Sequence, residues 1–365
     1  MKYNLAFKYR IYPNKEQELL INKTFGCVRF VYNTILYTAN KFYKETGKNK
    51  IITPASLKSE NQFLKEVDSL ALSNAQLNVK RSFTNFFQKR AKFPKFKSKK
   101  NNVKSYTTNC VNDSIRIEEN KYLVLPKLKR VKLKYHREIP KDYKIKSVTL
   151  TNSNGNYYVS VLTEFKKEIQ KIPSNDKVIG LDFSMSELFV SSENQRADYS
   201  RYFRMLEKKL KKLQKSLLRK VKFSKNWYKQ KAKISKLHEY IKNCRRDFLH
   251  KLSKKLSEMY NAVVVEDLNM KGMSQSLNFG KSVGDNGWGM FLRMLEYKLM
   301  LLGKQFLKIS KWFPSSKTCS KCGNVKEELK LSERSYKCEC CGIEIDRDYN
   351  AAVNIKNIGK LMLEY

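Results

Sequence analysis

Residues 319–355 read CSKCGNVKEELKLSERSYKCECCGIEIDRDYNAAVNI, and five of the chain's 8 cysteines fall among them. Cys319 and Cys322 form one CxxC knuckle, Cys338 and Cys341 a second, and the gap between them suits a tetrahedral four-cysteine zinc ribbon. The CECC run offers a further thiolate in Cys340, but the two-residue spacing favours Cys338 and Cys341. A disulfide pair of a secreted domain is the rival reading. Against it, the chain opens MKYNLAFKYR without an apolar signal core, and Cys27, Cys110 and Cys244 are scattered singly. Four thiolates close a zinc shell, so the ribbon reads as structural and the chemistry is expected elsewhere.

The charge balance sets the partner class. Lys plus Arg number 75 against 34 Asp plus Glu, a formal charge of +41, which repels itself in a compact fold unless a polyanion neutralises it. Nucleic acid is the expected partner. A membrane is the alternative, but no segment approaches the apolar length of a spanning helix and the basic residues run through most of the chain. At 365 residues with 41% hydrophobic content, the chain is expected to form two to four globular domains.

Along the chain, NLAFKYRIYP alternates as a strand, and Asn14 with Gln17 forms a capping box before a helical pattern carrying Leu20, Val28, Val31 and Ile35. A helical domain is expected to run from there to about Arg90. KFPKFKSKKNN then reads as a basic loop in which Lys92, Lys95, Lys97, Lys99 and Lys100 surround Phe93 and Phe96, with a solvated linker as the alternative. Residues 105–165 are strand-like, a small β-barrel or sheet, and KIPSNDK is a linker. Residues 202–260 read as an antiparallel helix pair broken near residues 223–227. Its leucine stripe is Leu206, Leu210, Leu213 and Leu217, and its outer face carries Lys208, Lys211, Lys212, Lys215, Arg219 and Lys222. FGKSVGDNGWG contains a GKS triplet but has Gln275 where a P-loop needs glycine, so it reads as a loop leading into the helix MFLRMLEYKLM.

Two buried-type strands end in acids: KVIGLD in Asp182, and NAVVVED in Glu266 followed by Asp267. A third acid, Asp348, opens a short helix whose Ala351 and Ala352 allow close packing on a sheet. Converging carboxylates of this kind are what a pair of Mg²⁺ ions requires for phosphodiester hydrolysis. The alternative is that each acid is an edge cap or surface residue. His136, His238 and His250 are far apart, so the HxH pair of a tyrosine transposase is absent, as is any dinucleotide fingerprint.

Together these stretches resemble the TnpB family, transposon-encoded RNA-guided DNA nucleases related to the type V CRISPR effectors. The resemblance rests on RIYPNKEQELLINKTFGCVRFVYN, FPKFKSKK, GLD, RRDFLHKLS, VVVEDLNMKGM, NGWGMFLRMLEYKL, FPSSKTCSKCG and YKCECCGIEIDRDYNAAVNI, in the family's order across almost the whole chain. It implies an α/β multidomain protein. A wedge β-barrel (1–12 and 94–172) would flank a helical recognition domain (13–93). A RuvC-like RNase H fold (173–314 and 345–365) would hold Asp182, Glu266 and Asp348 as catalytic Mg²⁺ ligands, interrupted by the zinc ribbon (315–344). Asp348 is preferred to Asp346 because the family pattern is D followed by xNAAxN. One departure is Ser184, where the family often has glycine two residues after the first acid.

The resemblance also implies a guide RNA from the transposon end, a double-stranded DNA target beside a short protein-read motif, and a bacterial cytoplasmic, nucleoid-associated protein acting as a monomer on RNA. Contacts to that motif are expected in KEVDSLALSNAQLN and near Tyr106 in SYTTN. Further nucleic-acid contacts are expected at Lys95, Lys97, Lys99, Lys100, Lys208, Lys212 and Arg219. Two other readings are a cleavage-deficient RNA-guided repressor, disfavoured because all three acids are present, and a strand-transferring transposase, disfavoured by the missing HxH.

Overall fold

The structure is a computed structural model that describes residues 1–100, 103–170, 172, 176–276, 280–330 and 332–364. Most of the linker read in KIPSNDK (171 and 173–175) therefore lies outside the described residues. The chain divides into two compact units, Met1–Glu168 and Ile169–Tyr365.

The first unit begins with strand β1 (Lys2–Tyr12) and helix α1 (Lys15–Thr46). The expected capping box is present: the Asn14 side chain accepts from Gln17 N at 2.8 Å, and Gln17 Oε1 accepts from Asn14 N at 3.1 Å. Two orphan donors of the first turn are thereby satisfied. Short α2 (Pro54–Lys58), a 3₁₀ turn (Gln62–Lys65) and α3 (Ser69–Phe87) complete the helical part. Strands β2 (Val103–Asn109), β3 (Arg116–Glu118), β4 (Tyr122–Leu125), β5 (Lys129–Lys134), β6 (Lys144–Ser153) and β7 (Asn156–Lys166) follow. They join β1 in a seven-stranded antiparallel sheet of order β2-β6-β7-β1-β5-β4-β3. Because β1 lies centrally, paired with β7 and β5, the helices are an insertion between two parts of one sheet.

The second unit contains β8 (Val178–Ser184), β9 (Leu188–Ser191), α4 (Tyr202–Leu218), α5 (Lys225–Met259) and β10 (Ala262–Glu266). It continues with α6 (Met270–Ser276), α7 (Gly280–Asn286), α8 (Trp288–Leu301), β11 (Gln305–Ile309), β12 (Ser335–Lys337), β13 (Glu344–Asp346) and α9 (Arg347–Glu364). Its main sheet has the order β11-β10-β8-β9, with β10 parallel to both β8 and β11 and β9 antiparallel to β8. Two sequence expectations shift here. The stretch read as a loop holds the short helix α7, closed by Gly287 at φ +77° before α8 begins. The break in the helix pair falls at residues 219–224, where the Ser224 side chain caps α5 by accepting from Trp227 N at 3.1 Å.

The three valines of β10 are hydrophobic without alternation because both faces of the sheet are covered. Ile179, Leu181, Val263 and Val265 pack on the side of α5 and α8 with Leu249, Leu256, Trp288, Phe291 and Leu295. Val178, Ala262, Val264 and Ile309 pack on the other side against Ile355 of α9. Helix α9 approaches so closely that a Cβ at Gly180 would sit 2.3 Å from Ala352 O and 2.6 Å from Lys356 N. A Cβ at Gly359 would lie 2.3 Å from Val264 Cγ2. Gly180→Ala is therefore expected to push α9 off the sheet, costing about 3 kcal/mol. Urea unfolding would measure it, and an unchanged midpoint would refute the close-approach argument.

Candidate active site and zinc centre

Strand alternation places the acids. Residues i, i+2 and i+4 of a strand share a face, so Asp182 follows Val178 and Gly180 onto the α9 side, and Glu266 follows Ala262 and Val264 there. The last register pair of the two parallel strands is Val265 with Leu181, so one step further Glu266 stands beside Asp182. Asp348 lies in the first turn of α9, the helix fitted onto that same face. The three sequence-predicted acids thus meet at the C-terminal edge of the parallel strands.

Burial dominates their electrostatics, and only Asp182 also registers the other two acids. The Asp182 carboxyl is pushed well above its ordinary value by burial, then by the charges of Glu266 and Asp348. Burial raises Glu266, while a hydrogen bond from Ser315 opposes it. Asp348 is raised by burial and then by Asp346. The neighbouring acids have other work. Asp346 Oδ1 accepts from Tyr349 N at 2.9 Å, capping α9, and Asp346 Oδ2 pairs with Arg196 at 2.9 Å. Asp267 is exposed and pairs with Lys308 at 3.3 Å.

The four knuckle cysteines gather with all sulfurs within 4.8 Å of one another, and no second group of three ligand side chains that close occurs among the described residues. Cys319 and Cys341 Sγ are 3.6 Å apart, as are Cys322 and Cys338. This group could hold a zinc ion in a closed tetrahedral shell. The Cys341 N–H, with that of Cys340 beside it, brings the Cys338 thiol down to about 6, favouring the thiolate a metal needs. Cys340 contributes its main chain there, and its own thiol is exposed.

Sequence reading missed how the two centres are joined. Asn350 Oδ1 accepts from Ser320 N at 2.9 Å and Asn350 Nδ2 donates to Thr318 O at 2.7 Å. Asn354 Nδ2 donates to Ser315 O and Thr318 O at 2.8 and 2.7 Å. Both asparagines are buried on α9. Residues 315–320 therefore tie the knuckle to the helix bearing Asp348, while the Ser315 hydroxyl donates to Glu266. The one advance signal was the NAAxN spacing, with asparagines one helical turn apart flanking the alanines that face the sheet.

A second buried junction also escaped prediction. Asp285 Oδ1 accepts from Arg245 Nη2 and from Phe203 N, both at 3.1 Å, and Oδ2 accepts from Arg204 N at 3.4 Å. One carboxylate so caps α4 and pins it to α5 and α7. Asn286 Nδ2 next to it donates to Ser184 O at 2.9 Å, holding the strand end just past Asp182.

The expected nucleic-acid contacts divide. Lys95, Lys99 and Lys100 are exposed, whereas Lys97 is half-buried: Asn33 bonds its main chain on both sides and its ammonium lies 4.2 Å from the Tyr32 ring centroid. Phe93 packs edge-on against Phe83 and Phe86. Tyr106 is 6% exposed in the core of the first unit, edge-on to Phe25, so its ring is not presented to a base. The α1 and α3 helices cover that face of β2. Lys208, Lys212 and Arg219 are exposed on and just past α4, whose apolar stripe packs on Leu237 and Ile241.

A structure of the Cas12f1–sgRNA–target DNA complex has a similar α/β multidomain fold at a TM-score of 0.61, covering 98% of this chain and 99% of that one at 15% identity. Family models described as "Probable transposase" and "Cas12f1-like, TNB domain" match residues 158–277 and 288–355. A third, "Helix-turn-helix domain", matches residues 1–48, where the structure has strand β1 and the single long helix α1. A putative RNA-guided DNA endonuclease of Streptomyces pristinaespiralis is 34% identical, covering 97% of this chain and 89% of that protein. The putative RNA-guided DNA endonuclease InsQ of Escherichia coli is also 34% identical, covering 100% and 94%. The chain belongs to the TnpB family.

Proposed function

We propose that this protein is an RNA-guided DNA endonuclease in which Asp182, Glu266 and Asp348 hold a pair of magnesium ions. The observation that carries the reading is the convergence of the three acids on the α9 face of one sheet, each carboxyl raised by burial. Hard carboxylate oxygens, buried at a cost that a divalent cation relieves, are a fitting donor set. Bound there, the ions would supply charge stabilisation to the attacking and leaving oxygens of an in-line displacement at phosphorus. The chain's own contribution is positional. Ser315 fixes the Glu266 carboxylate, Asn286 fixes the strand end beyond Asp182, and Asn350 and Asn354 hold the helix that presents Asp348.

We further infer the division into a wedge barrel (1–12 and 94–172) around a helical recognition domain (13–93), and a RuvC-like domain (173–314 and 345–365) carrying a zinc ribbon (315–344). The central place of β1 and the ties between residues 315–320 and α9 support it. Guide RNA from the transposon end and double-stranded DNA would be the partners of a monomer acting in the bacterial cytoplasm at the nucleoid. No helix among the described residues is long and apolar enough to cross a membrane.

The test is programmed cleavage: protein co-expressed with its flanking DNA, its bound RNA sequenced, and a plasmid bearing the matching target supplied. Cleavage that moves when the guide is changed supports the reading; cutting that ignores the guide defeats it. Binding is also expected to weaken with salt, log K falling against log salt with a slope of about −0.9 per phosphate neutralised on duplex DNA. A flat response in a salt-titrated filter-binding assay would remove the role given to the +41 charge.

A further inference from the structure

We propose that Lys311 and Trp312 form a stacking subsite for an unpaired nucleobase of the DNA strand beside the three acids, a proposal that rests on the nuclease reading above. Trp312 is 82% exposed, whereas Trp288 is 1% exposed in the core. Its loop is held at both ends next to Glu266. Ile309 pairs with Glu266 across β11 and β10, its carbonyl accepts from Asp267 N at 3.1 Å, and Ser315 donates its hydroxyl to Glu266 itself. Consecutive Cα atoms lie about 3.8 Å apart, so the Trp312 Cα is within about 11 Å of both Ile309 and Ser315.

Between those anchors the chain turns tightly. Phe313 N donates to Ser310 O at 3.1 Å and Trp312 N to Ser310 Oγ at 3.3 Å. Phe313 turns inward to the apolar cluster under α9, and the ring before it turns outward. The Lys311 ammonium lies 4.8 Å from the indole centroid, so a flat π-surface and a cation stand together. That pair matches one nucleotide: the indole takes the base and the ammonium the phosphate. A base inside a duplex already has stacking partners on both faces, so the indole selects an unpaired or extruded base.

The experiment compares wild type with Trp312→Ala and Trp312→Phe, each as the guide-loaded protein, and also reads tryptophan emission of the RNA-free protein titrated with oligo-dT in the absence of magnesium. We expect Trp312→Ala to lower kcat/KM by about tenfold or more, with zinc content and melting temperature unchanged, and Trp312→Phe to restore most of it. Oligo-dT is expected to quench an emission component that Trp312→Phe lacks. Unchanged kcat/KM in Trp312→Ala, or identical quenching in wild type and Trp312→Phe, overturns the subsite. Quenching of that component by guide RNA but not by oligo-dT also overturns it, assigning the ring to the guide. If wild type does not cut DNA at all, the nuclease reading fails, and the oligo-dT titration still decides the subsite separately.

Discussion

Asp182→Asn is expected to reduce target cleavage by at least about a thousandfold while guide and target binding stay within a few-fold of wild type. The carboxylate stands beside Glu266 on the next strand and faces Asp348, so its loss leaves too few oxygens for the ion pair to which this geometry is suited. Losing roughly 4 kcal/mol of transition-state charge stabilisation is a thousandfold in rate. The same change is expected to stabilise the magnesium-free protein. Because the folded-state carboxyl is raised, its stabilising contribution is fully present below the unfolded value near about 3.9 and is lost as pH rises through the raised folded value. Above that unfolded value the wild type bears the cost of its buried, raised carboxyl, and the neutral amide does not. Calorimetry in magnesium-free buffer should show the variant melting higher, by about 2–4 °C for each kcal/mol relieved. Retained cleavage would show the acid misassigned, and a lower melting point would make Asp182 a structural residue.

Cys319→Ser is expected to abolish stoichiometric zinc and, with the acids untouched, cleavage as well. Structural zinc in small ribbons contributes about 10–16 kcal/mol of apparent binding energy, far more than two short strands of three residues can replace. Residues 315–320 bond Asn350, Asn354 and Glu266, so release of the knuckle frees the support of two acids together. Elemental analysis with limited proteolysis and the plasmid assay reads all three consequences. Cys340→Ser is the control, expected to keep both zinc and cleavage, since its backbone N–H remains to serve Cys338. Full zinc in Cys319→Ser would overturn the ligand set, and cleavage without zinc would overturn the coupling.

Much of this site was legible in the sequence because its elements obey simple periods. Continuous valines mark a strand covered on both faces, paired CxxC spacings mark a thiolate centre, and Asn14 with Gln17 marks a helix start. The parity that puts Asp182 and Glu266 on one face also follows once the strands are known. Other parts depend on distant packing and leave no local mark. Tyr106 stands in VKSYTTN, a largely polar strand that gives no hint of helices covering one face, so the burial of its ring against Phe25 is not legible there. Lys97 looked like one of a row of solvated lysines, yet Asn33, far earlier in the chain, fixes its backbone. Asp285 and Ser315 have the composition of ordinary loop residues, and only the fold shows what each one anchors.

The seating of α9 against Gly180 and Gly359 also sets an order of events in time. The strand bearing Asp182 emerges from the ribosome first, the one ending in Glu266 well after it, and the helix bearing Asp348 later still. Domains generally fold as units while later parts are still being made. The first unit can therefore be complete while the three acids have not yet come together. If those acids hold the metal ions as proposed, a nascent chain, or one halted before α9, would be unable to break a phosphodiester. Competence to cut would arrive only when that helix docks on the finished sheet, after the rest of the fold is in place.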